Sequence, residues 1–133
     1  MSIDNNIPET VTSGIRVQVE SKFIPENSDP DIPRYFFAYF VTISNESKSI
    51  IKLIDRHWEI TDAHGNLEIV DGEGVVGRQP LLKPGESFTY NSFCPLNTEF
   101  GMMTGHYQMK MEDDNIVKVL IPAFKLISPF AIN

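Results

Sequence analysis

Apolar and polar side chains alternate with a period of two residues along much of the chain, as is typical of β-strands. In "GIRVQVESKF", Ile15, Val17, Val19 and Phe23 alternate with charged or polar residues. This pattern predicts a strand with one buried face and one solvated face. The segment "RYFFAYFVTIS", residues 34–44, is apolar on both faces, which favours a strand in the middle of a sheet.

The rest of the chain repeats this pattern. "IIKLIDRHWEITD" alternates again, and the turn signal "AHGN" predicts that "LEIV" pairs back onto it as a hairpin. Further strands are predicted after Pro84-Gly85, from His106 to Glu112, and over "IVKVLIPAFKLI", where Pro122 favours an edge position or a bend. No segment combines a helical period with helix caps.

Seven or eight strands separated by turn signals predict an all-β fold. The expected architecture is an antiparallel β-sandwich of the fibronectin type III or immunoglobulin kind. Trp58 in a mid-chain strand and Tyr107 at a position typical of a tyrosine corner agree with it.

The chain divides into one domain with two short tails. Residues 1–13 are predicted to be a flexible N-terminal tail, residues 14–128 the β-sandwich domain, and residues 129–133 a C-terminal tail. The apolar end "KLISPFAIN" either packs on the sandwich or forms a homodimer contact. A soft apolar zone of methionines around Phe100 (Met102, Met103, Met109 and Met111) is either core packing or an adaptable binding surface.

Composition narrows the classes of partner. Eleven basic and eighteen acidic residues give a formal charge of −7, without a basic cluster. Nucleic acid and acidic membrane surfaces are therefore not expected partners. The N-terminus lacks the basic and apolar regions of a signal peptide, and no apolar run has the length of a membrane span, so a cytoplasmic protein is expected.

The stretch "DGEGVVGRQP" contains G-x-G-x-x-G at Gly72, Gly74 and Gly77. In dinucleotide-binding folds this motif opens a helix, but the prolines that follow it here exclude a helix. Two interpretations remain: the glycines shape an irregular loop, or their N–H groups form an anion site together with Arg78 and Lys83. Asp71 and Glu73, which flank the motif, would oppose an anion.

Other chemistry is sparse. His57, His64 and Asp62, with Asp55 and Asp71 nearby, could hold a divalent metal, although their spacing matches no named site. Cys94 is the only cysteine, and no base or electropositive setting is evident around it. The sequence therefore predicts no catalytic residues, no cofactor and no enzyme activity.

Several strings closely resemble the bacterial ApaG proteins. They are "RHWEITDAHGNLEIVDGEGVVGRQPLLKPGESFTYNS", "PLNTEFGMMTGHYQM" and "IPAFKL", and the resemblance runs from about Gly14 to Ser128. Two loops depart from the family: Asn91-Ser92-Phe93 stands where T-S-G is usual, and Thr98-Glu99 where T-P is usual.

The resemblance implies a fibronectin III-like sandwich and a protein-interaction or regulatory module. Such a domain occurs in some eukaryotic F-box proteins and in a polymerase-interacting protein, and the bacterial members are associated with cobalt and magnesium efflux. The family name also suggests diadenosine tetraphosphate metabolism. The resemblance thus implies an unknown protein partner, with a nucleotide or polyphosphate ligand at the glycine loop as the alternative.

Overall fold

A computed structural model describes residues 7–131 of the chain. It contains nine strands: β1 (Glu9–Thr12), β2 (Ile15–Phe23), β3 (Tyr35–Asn45), β4 (Ile51–Asp62), β5 (Leu67–Glu73), β6 (Leu81–Leu82), β7 (Ser87–Leu96), β8 (Phe100–Met111) and β9 (Ile116–Ile127). Within the described residues the only helical element is one 3-10 turn, Pro25–Asn27. The all-β prediction is confirmed.

The strands form two antiparallel sheets. One has the order β1-β2-β3-β7, and the other has the order β5-β4-β8-β9, with the short β6 also paired to β4. The central place of β3 confirms the prediction from its apolar faces. β9, which contains Pro122, is an edge strand as predicted.

The core lies between the inner faces of the two sheets. Tyr107, Phe37, Leu53 and Met109 are among its fully buried side chains. Burying each such side chain contributes about 1.5–3 kcal/mol. Trp58 packs edge-on against Tyr39, with ring centroids 5.3 Å apart, so the predicted mid-chain tryptophan is a core residue.

Two elements differ from the prediction. β8 begins at Phe100, not at His106, and it passes through Gly101 and Gly105. A Cβ on Gly105 would lie 2.0 Å from the carbonyl oxygen of His57. These glycines permit close approach between strands, and the strand runs through them.

Both segments predicted as tails contain residues that contact the sandwich. β1 lies inside the segment predicted as a tail and pairs with β2 from Glu9 onward. Phe130 packs against Phe23 and Tyr35, at centroid distances of 6.2 and 6.3 Å. Of the two alternatives for the C-terminal end, this is packing on the sandwich. Residues 1–6 and 132–133 of the predicted tails lie outside the described residues.

The tyrosine-corner prediction was wrong in its bonding. Tyr107 is fully buried, as such a residue should be, but its hydroxyl bonds to the hydroxyl of Tyr90. A tyrosine corner instead bonds the backbone a few residues upstream. The pair Tyr107–Tyr90 links β8 to β7 and therefore joins the two sheets inside the core.

Candidate functional site

The glycine motif runs from the last residues of β5 into a tight turn that directly follows this strand. Val75 and Arg78 exchange two backbone hydrogen bonds, of 2.8 and 2.9 Å. The two residues between them, Val76 and Gly77, have φ angles of 43° and 77°. This is the geometry of a two-residue type I′ loop. A positive φ is strained for a β-branched side chain such as Val76, which is also exposed at the tip of the turn.

Each of two glycines in the motif has its own steric reason. Gly74 has a φ of 64°, and a Cβ there would lie 2.2 Å from the carbonyl oxygen of Arg78. A Cβ on Gly72 would lie 2.6 Å from the guanidinium of Arg56. Gly74 therefore lets the turn close, while Gly72 leaves space for an arginine that crosses β5.

The turn also covers a bulge in β4. The register of β4 against β8 shifts between Leu53 and Asp55. The carbonyl oxygen of Ile54 at this bulge accepts hydrogen bonds from Gly74 N, at 2.8 Å, and from Gln79 Nε2, at 2.9 Å. The glycine loop thus provides hydrogen-bond donors to the carbonyl group of Ile54 at the bulge, where the regular β-ladder is disrupted.

Most donors of the predicted anion loop are engaged within the protein. The N–H groups of Gly74, Val75 and Arg78 donate to carbonyl oxygens of the chain. Gly72 belongs to β5, opposite Arg56 in register. The anion site at Gly72, Gly74, Gly77 and Arg78 stays a prediction, and the N–H groups of Val76 and Gly77 at the tip are the donors without a partner among residues 7–131.

Arg56 is a residue of the candidate site that the sequence did not single out. Its Nη1 donates to the carbonyl oxygens of Glu73, at 3.2 Å, and Gly74, at 2.8 Å. Arg56 stands two residues before Trp58 and therefore shares the inner face of the sheet with it, and the bulge brings Leu53 onto the same face. The side chain therefore lies between the two sheets at the side where β5 forms an edge.

The residues of the predicted metal site are not brought together. Asp62 ends β4 and accepts hydrogen bonds from the backbone N–H groups of His64 and Asn66 in the following turn. His57 lies five residues before Asp62 on the same strand, which is about 16 Å along a strand. No group of three or more His, Cys, Asp or Glu suited to a metal occurs within residues 7–131.

His57 instead takes part in an ion-paired cluster on the outer face. Its Nε2 lies 3.0 Å from Glu59 Oε2 and its Nδ1 lies 2.6 Å from Asp71 Oδ1. Hydrogen bonds to Glu59 and then Asp71 raise the pKa of His57. The ring stacks on His106 with centroids 4.8 Å apart, and the pKa of His106 is lowered by burial, by Lys118 and by His57.

Cys94 is a buried core residue. Burial raises the pKa of its thiol to about 12, so the thiol is protonated at neutral pH and does not act as a thiolate nucleophile. The methionines divide between core and surface: Met103 and Met109 are buried, whereas Met102 is exposed beside Phe100.

The four sheet edges differ in how their backbone groups are used. β1 is only four residues long. β5 carries three acidic residues in seven and no basic residue. β9 faces hydroxyl groups of the other sheet, which bond its backbone at Leu120 and Lys125. β7 is ten residues long and has no charged side chain.

The register identifies the free groups of β7. Asn45 N donates to the carbonyl oxygen of Glu86 at 2.9 Å, and Ser44 lies opposite Ser87. Antiparallel pairing alternates along a strand, so even-numbered residues such as Phe88 and Tyr90 bond to β3. The backbone groups that point away from the sheet belong to Ser87, Thr89, Asn91 and Phe93.

An aromatic patch lies beside this edge on the outer face of the sheet. Phe36 and Phe93 stack with centroids 5.4 Å apart, and Phe40 and Phe93 are about half exposed. Arg34 lies over the ring of Phe36 at 5.8 Å. The sequence indicated the aromatic density of this region but not which rings share a face, since that depends on how β3 and β7 pair.

The described part of the chain contains no helix long and apolar enough to cross a membrane.

Comparisons with known proteins agree on the family. The family model described as the ApaG domain matches residues 25–111. The Protein ApaG of Beijerinckia indica is 50% identical over 122 residues, covering 92% of this chain and 94% of that protein. The Protein ApaG of Methylobacterium radiotolerans is 51% identical over 118 residues, covering 89% of this chain and 91% of that protein.

A solved structure supports the same conclusion. The crystal structure of an ApaA protein from Bordetella pertussis superposes with a TM-score of 0.85 at 42% sequence identity. The superposition covers 94% of this chain and 98% of that chain. With this agreement in sequence and in fold, the chain belongs to the ApaG family.

Proposed function

We propose that this protein is a non-catalytic interaction module that binds an extended segment of a partner protein along β7. The observation that carries the proposal is the long, uncharged edge of β7 with four residues whose backbone groups face outward. An unprotected edge strand is a template for pairing with another chain. Natural sheets usually guard such an edge with charge, a bulge or a covering element.

The other edges support this choice by contrast. The backbone of β9 is bonded by hydroxyl groups at Leu120 and Lys125, and β5 is acidic along its length. Pro95, which has no N–H group, limits the usable ladder of β7 at one end. The ladder thus spans Ser87 to Phe93, a length suited to a short extended peptide.

The aromatic patch supplies a basis for specificity. A strand added to β7 would place alternate side chains on the outer face, next to Phe93, Phe36 and Phe40. Apolar side chains of the partner would be buried there, while main-chain hydrogen bonds would contribute affinity without sequence preference. A partner segment with apolar residues at alternate positions is therefore expected.

The association of the family with cobalt and magnesium efflux fits a regulatory role. A module that binds a partner through a sheet edge would influence metal handling through that partner. We place this action in the cytoplasm. The proposal does not require the metal site predicted at His57, His64 and Asp62, which cobalt titration with visible absorbance would test separately.

Amide hydrogen exchange tests the binding mode directly. In the free protein, the amides of Thr89 and Asn91 should exchange rapidly, and those of Phe88 and Tyr90 slowly. A partner is first isolated from a native lysate and identified, and exchange is then measured in the purified complex. Protection that appears at Thr89 and Asn91 supports the proposal. A complex in which both amides still exchange as in the free protein contradicts it.

A pair of variants at one position supplies the matched control. Asn91→Pro removes an outward N–H group, which an edge strand tolerates, and should abolish binding. Asn91→Ala keeps the N–H group and should bind the partner normally. Thermal unfolding of both variants verifies the fold. Retention of the partner by a folded Asn91→Pro variant would overturn the proposal.

The alternative function is a nucleotide or polyphosphate sensor at Gly72, Gly74, Gly77 and Arg78. The positive φ angles at the tip around Gly77 and the exposed Arg78 support it, whereas the engaged N–H groups of the loop weaken it. Calorimetric titration with mononucleotides and dinucleoside polyphosphates tests it. The absence of heat at millimolar ligand would remove it.

A further inference from the structure

A cleft opens into the sandwich between the edges of β5 and β7. Its volume is about 240 Å³, and it is closed on its inner side by the core. Six lining residues matter for its chemistry: Tyr39, Arg56, Trp58, Glu68, Val70 and Ser92. The cleft is separate from the outer-face patch of Phe36, Phe40 and Phe93 that the partner strand would cover, although Phe93 also borders its mouth.

Arg56 brings an uncompensated positive charge into this cleft. Among the described residues, only Nη1 of its guanidinium has acceptors, the carbonyl oxygens of Glu73 and Gly74. Within residues 7–131 no carboxylate oxygen lies within 4.0 Å of the guanidinium. A guanidinium has five N–H donors, and those on Nε and Nη2 are left for another acceptor.

The position of Arg56 makes this charge effective. The side chain is half-buried, so its field is screened less than that of a surface arginine. The two carbonyl contacts and the space above Gly72 fix the plane of the guanidinium. A fixed, planar fork of donors matches the two oxygen atoms of a carboxylate.

The walls provide an apolar body with a few polar groups. Val70 lies opposite Trp58 in register and is half-buried, so it presents apolar surface to the cleft, while Trp58, 3% exposed, closes the wall beside it. Tyr39 and Ser92 lie opposite in register and add hydroxyl groups. Burial raises the pKa of Tyr39, which keeps its hydroxyl protonated as a donor. Small-molecule sites typically combine apolar walls with a few placed polar groups.

The surroundings favour a single negative charge on the ligand. Glu68 stands in the wall of the cleft, and the whole chain carries a formal charge of −7, so a dianion such as phosphate would meet repulsion. The volume lies below the range of about 300–1,000 Å³ for ordinary ligand pockets. We propose that Arg56 binds the carboxylate of a small organic acid whose apolar part lies against Trp58 and Val70.

Trp58 is the only tryptophan and reports on the cleft. The full-length protein is titrated with phenylacetate while tryptophan fluorescence is recorded, and the neutral isostere phenylacetamide and inorganic phosphate serve as the other arms. A saturable change with phenylacetate, much weaker with phenylacetamide and with phosphate, supports the proposal. A response to phenylacetamide as strong as that to phenylacetate, or no response at millimolar acid, overturns it.

Variants then assign the charge. Arg56→Gln should weaken binding at least tenfold, as expected for the loss of a charged hydrogen bond. Arg78→Gln removes an equal charge from the neighbouring turn, outside the cleft, and should bind phenylacetate like the wild type. If Arg78→Gln lost binding and Arg56→Gln retained it, the site would be the glycine loop and the proposal would be wrong.

Arg56→Gln also removes the hydrogen bonds to Glu73 and Gly74 in the turn. Two further variants test the site while leaving these bonds in place. Val70→Phe fills the cleft while leaving Arg56 in place, and it should abolish the response. Glu68→Gln removes the opposing charge and should tighten binding roughly two- to fivefold. Unchanged binding in Val70→Phe, or weaker binding in Glu68→Gln, contradicts the proposed position of the ligand.

Discussion

The two long sides of the sandwich are built differently. On the closed side, the β9 edge meets hydroxyl groups of the opposite sheet: Thr10 Oγ1 donates to Leu120 O at 2.6 Å, and Thr12 Oγ1 accepts from Leu120 N at 3.2 Å. Ser21 Oγ donates to Lys125 O at 2.7 Å. On the open side, β7 and β5 both end their sheets, and Arg56 lies between them at the mouth of the cleft.

The two sides differ in whether a partner or a ligand can reach free backbone groups. A sheet edge is a row of unpaired donors and acceptors. On the closed side short hydroxyl side chains satisfy part of that row, so the edge contributes to stability. On the open side the row of β7 stays free and the interior is reachable, because the bonds of the glycine turn and of Arg56 stay within the sheet of β4 and β5.

The largest expected effect lies in the turn of the open side. Gly74→Ala places a Cβ 2.2 Å from the carbonyl oxygen of Arg78 at a φ of 64°, so both the backbone and the turn must shift. We expect a loss of about 3 kcal/mol or more in the free energy of unfolding. Urea denaturation measures it.

Gly77→Ala is the matched control for this substitution. Gly77 also has a positive φ, but a Cβ there meets nothing within 4 Å, so only the backbone strain of about 1–2 kcal/mol should appear. Equal losses of stability in the two variants would show that the close approach to the Arg78 carbonyl adds nothing to the backbone strain at Gly74.

The closed side should respond to the loss of its hydroxyl groups. The double substitution Thr10→Val and Thr12→Val leaves both backbone groups of Leu120 without their partners. We expect a loss of about 2 kcal/mol and faster hydrogen exchange at Leu120. Thr89→Val on β7, at a hydroxyl that bonds no group among residues 7–131, should change stability by less than about 0.5 kcal/mol. Similar losses on both sides would remove the contrast between them.

Val76 offers a change of opposite sign. Its φ of 43° is unfavourable for a β-branched residue, and the type I′ turn favours Asn before Gly77. Val76→Asn should therefore stabilise the protein by about 1 kcal/mol. Thermal or urea unfolding measures this change. A destabilised variant would indicate that contacts of the Val76 side chain contribute more to stability than its backbone strain costs.

The histidine pair on the outer face gives the smallest effect, a pH dependence. The pKa of His57 is raised above 6.5, so its contribution to stability is complete below pH 6.5 and is lost as pH rises through its folded pKa. The pKa of His106 is lowered below 6.5, so stability is lost as pH falls from 6.5 through that folded pKa. The two terms together predict a stability maximum near pH 6.5.

NMR titration of the histidine ring protons measures both pKa values. Glu59→Gln and Asp71→Asn should each lower the pKa of His57, because hydrogen bonds to Glu59 and to Asp71 both raise it. A pKa of His57 below that of His106 would contradict the raised pKa of His57 and the lowered pKa of His106.

Much of the architecture was predictable because alternation is a local property. The period of two over Ile15 to Phe23 and the two apolar faces of residues 34–44 placed β2 and β3 correctly. The start of β8 was missed because Gly101 and Gly105 resemble turn residues until the partner strand is known. β1 was missed because four residues are too few for a period to show.

The candidate sites were harder to predict from the sequence than the strands were. The motif at Gly72, Gly74 and Gly77 was recognised as a loop feature, yet its reason lies in Arg56 and Arg78, which only the fold brings against it. His57 was linked with His64 by proximity along the chain, but the strand separates them and the sheet pairs His57 with His106 instead. Register across a sheet joins residues that the linear order does not.

Side-chain period and motif order are written along the chain, and they suffice to show that it forms strands, that it encloses one apolar core, and that it belongs with the ApaG proteins. Which edge is sealed by hydroxyl groups and which is left free follows from the folded arrangement alone. The same holds for the bulge at Ile54, which places Leu53 and Arg56 on one inner face of β4. Both outcomes depend on pairing between distant strands, where a shift of one residue reverses the face of every side chain.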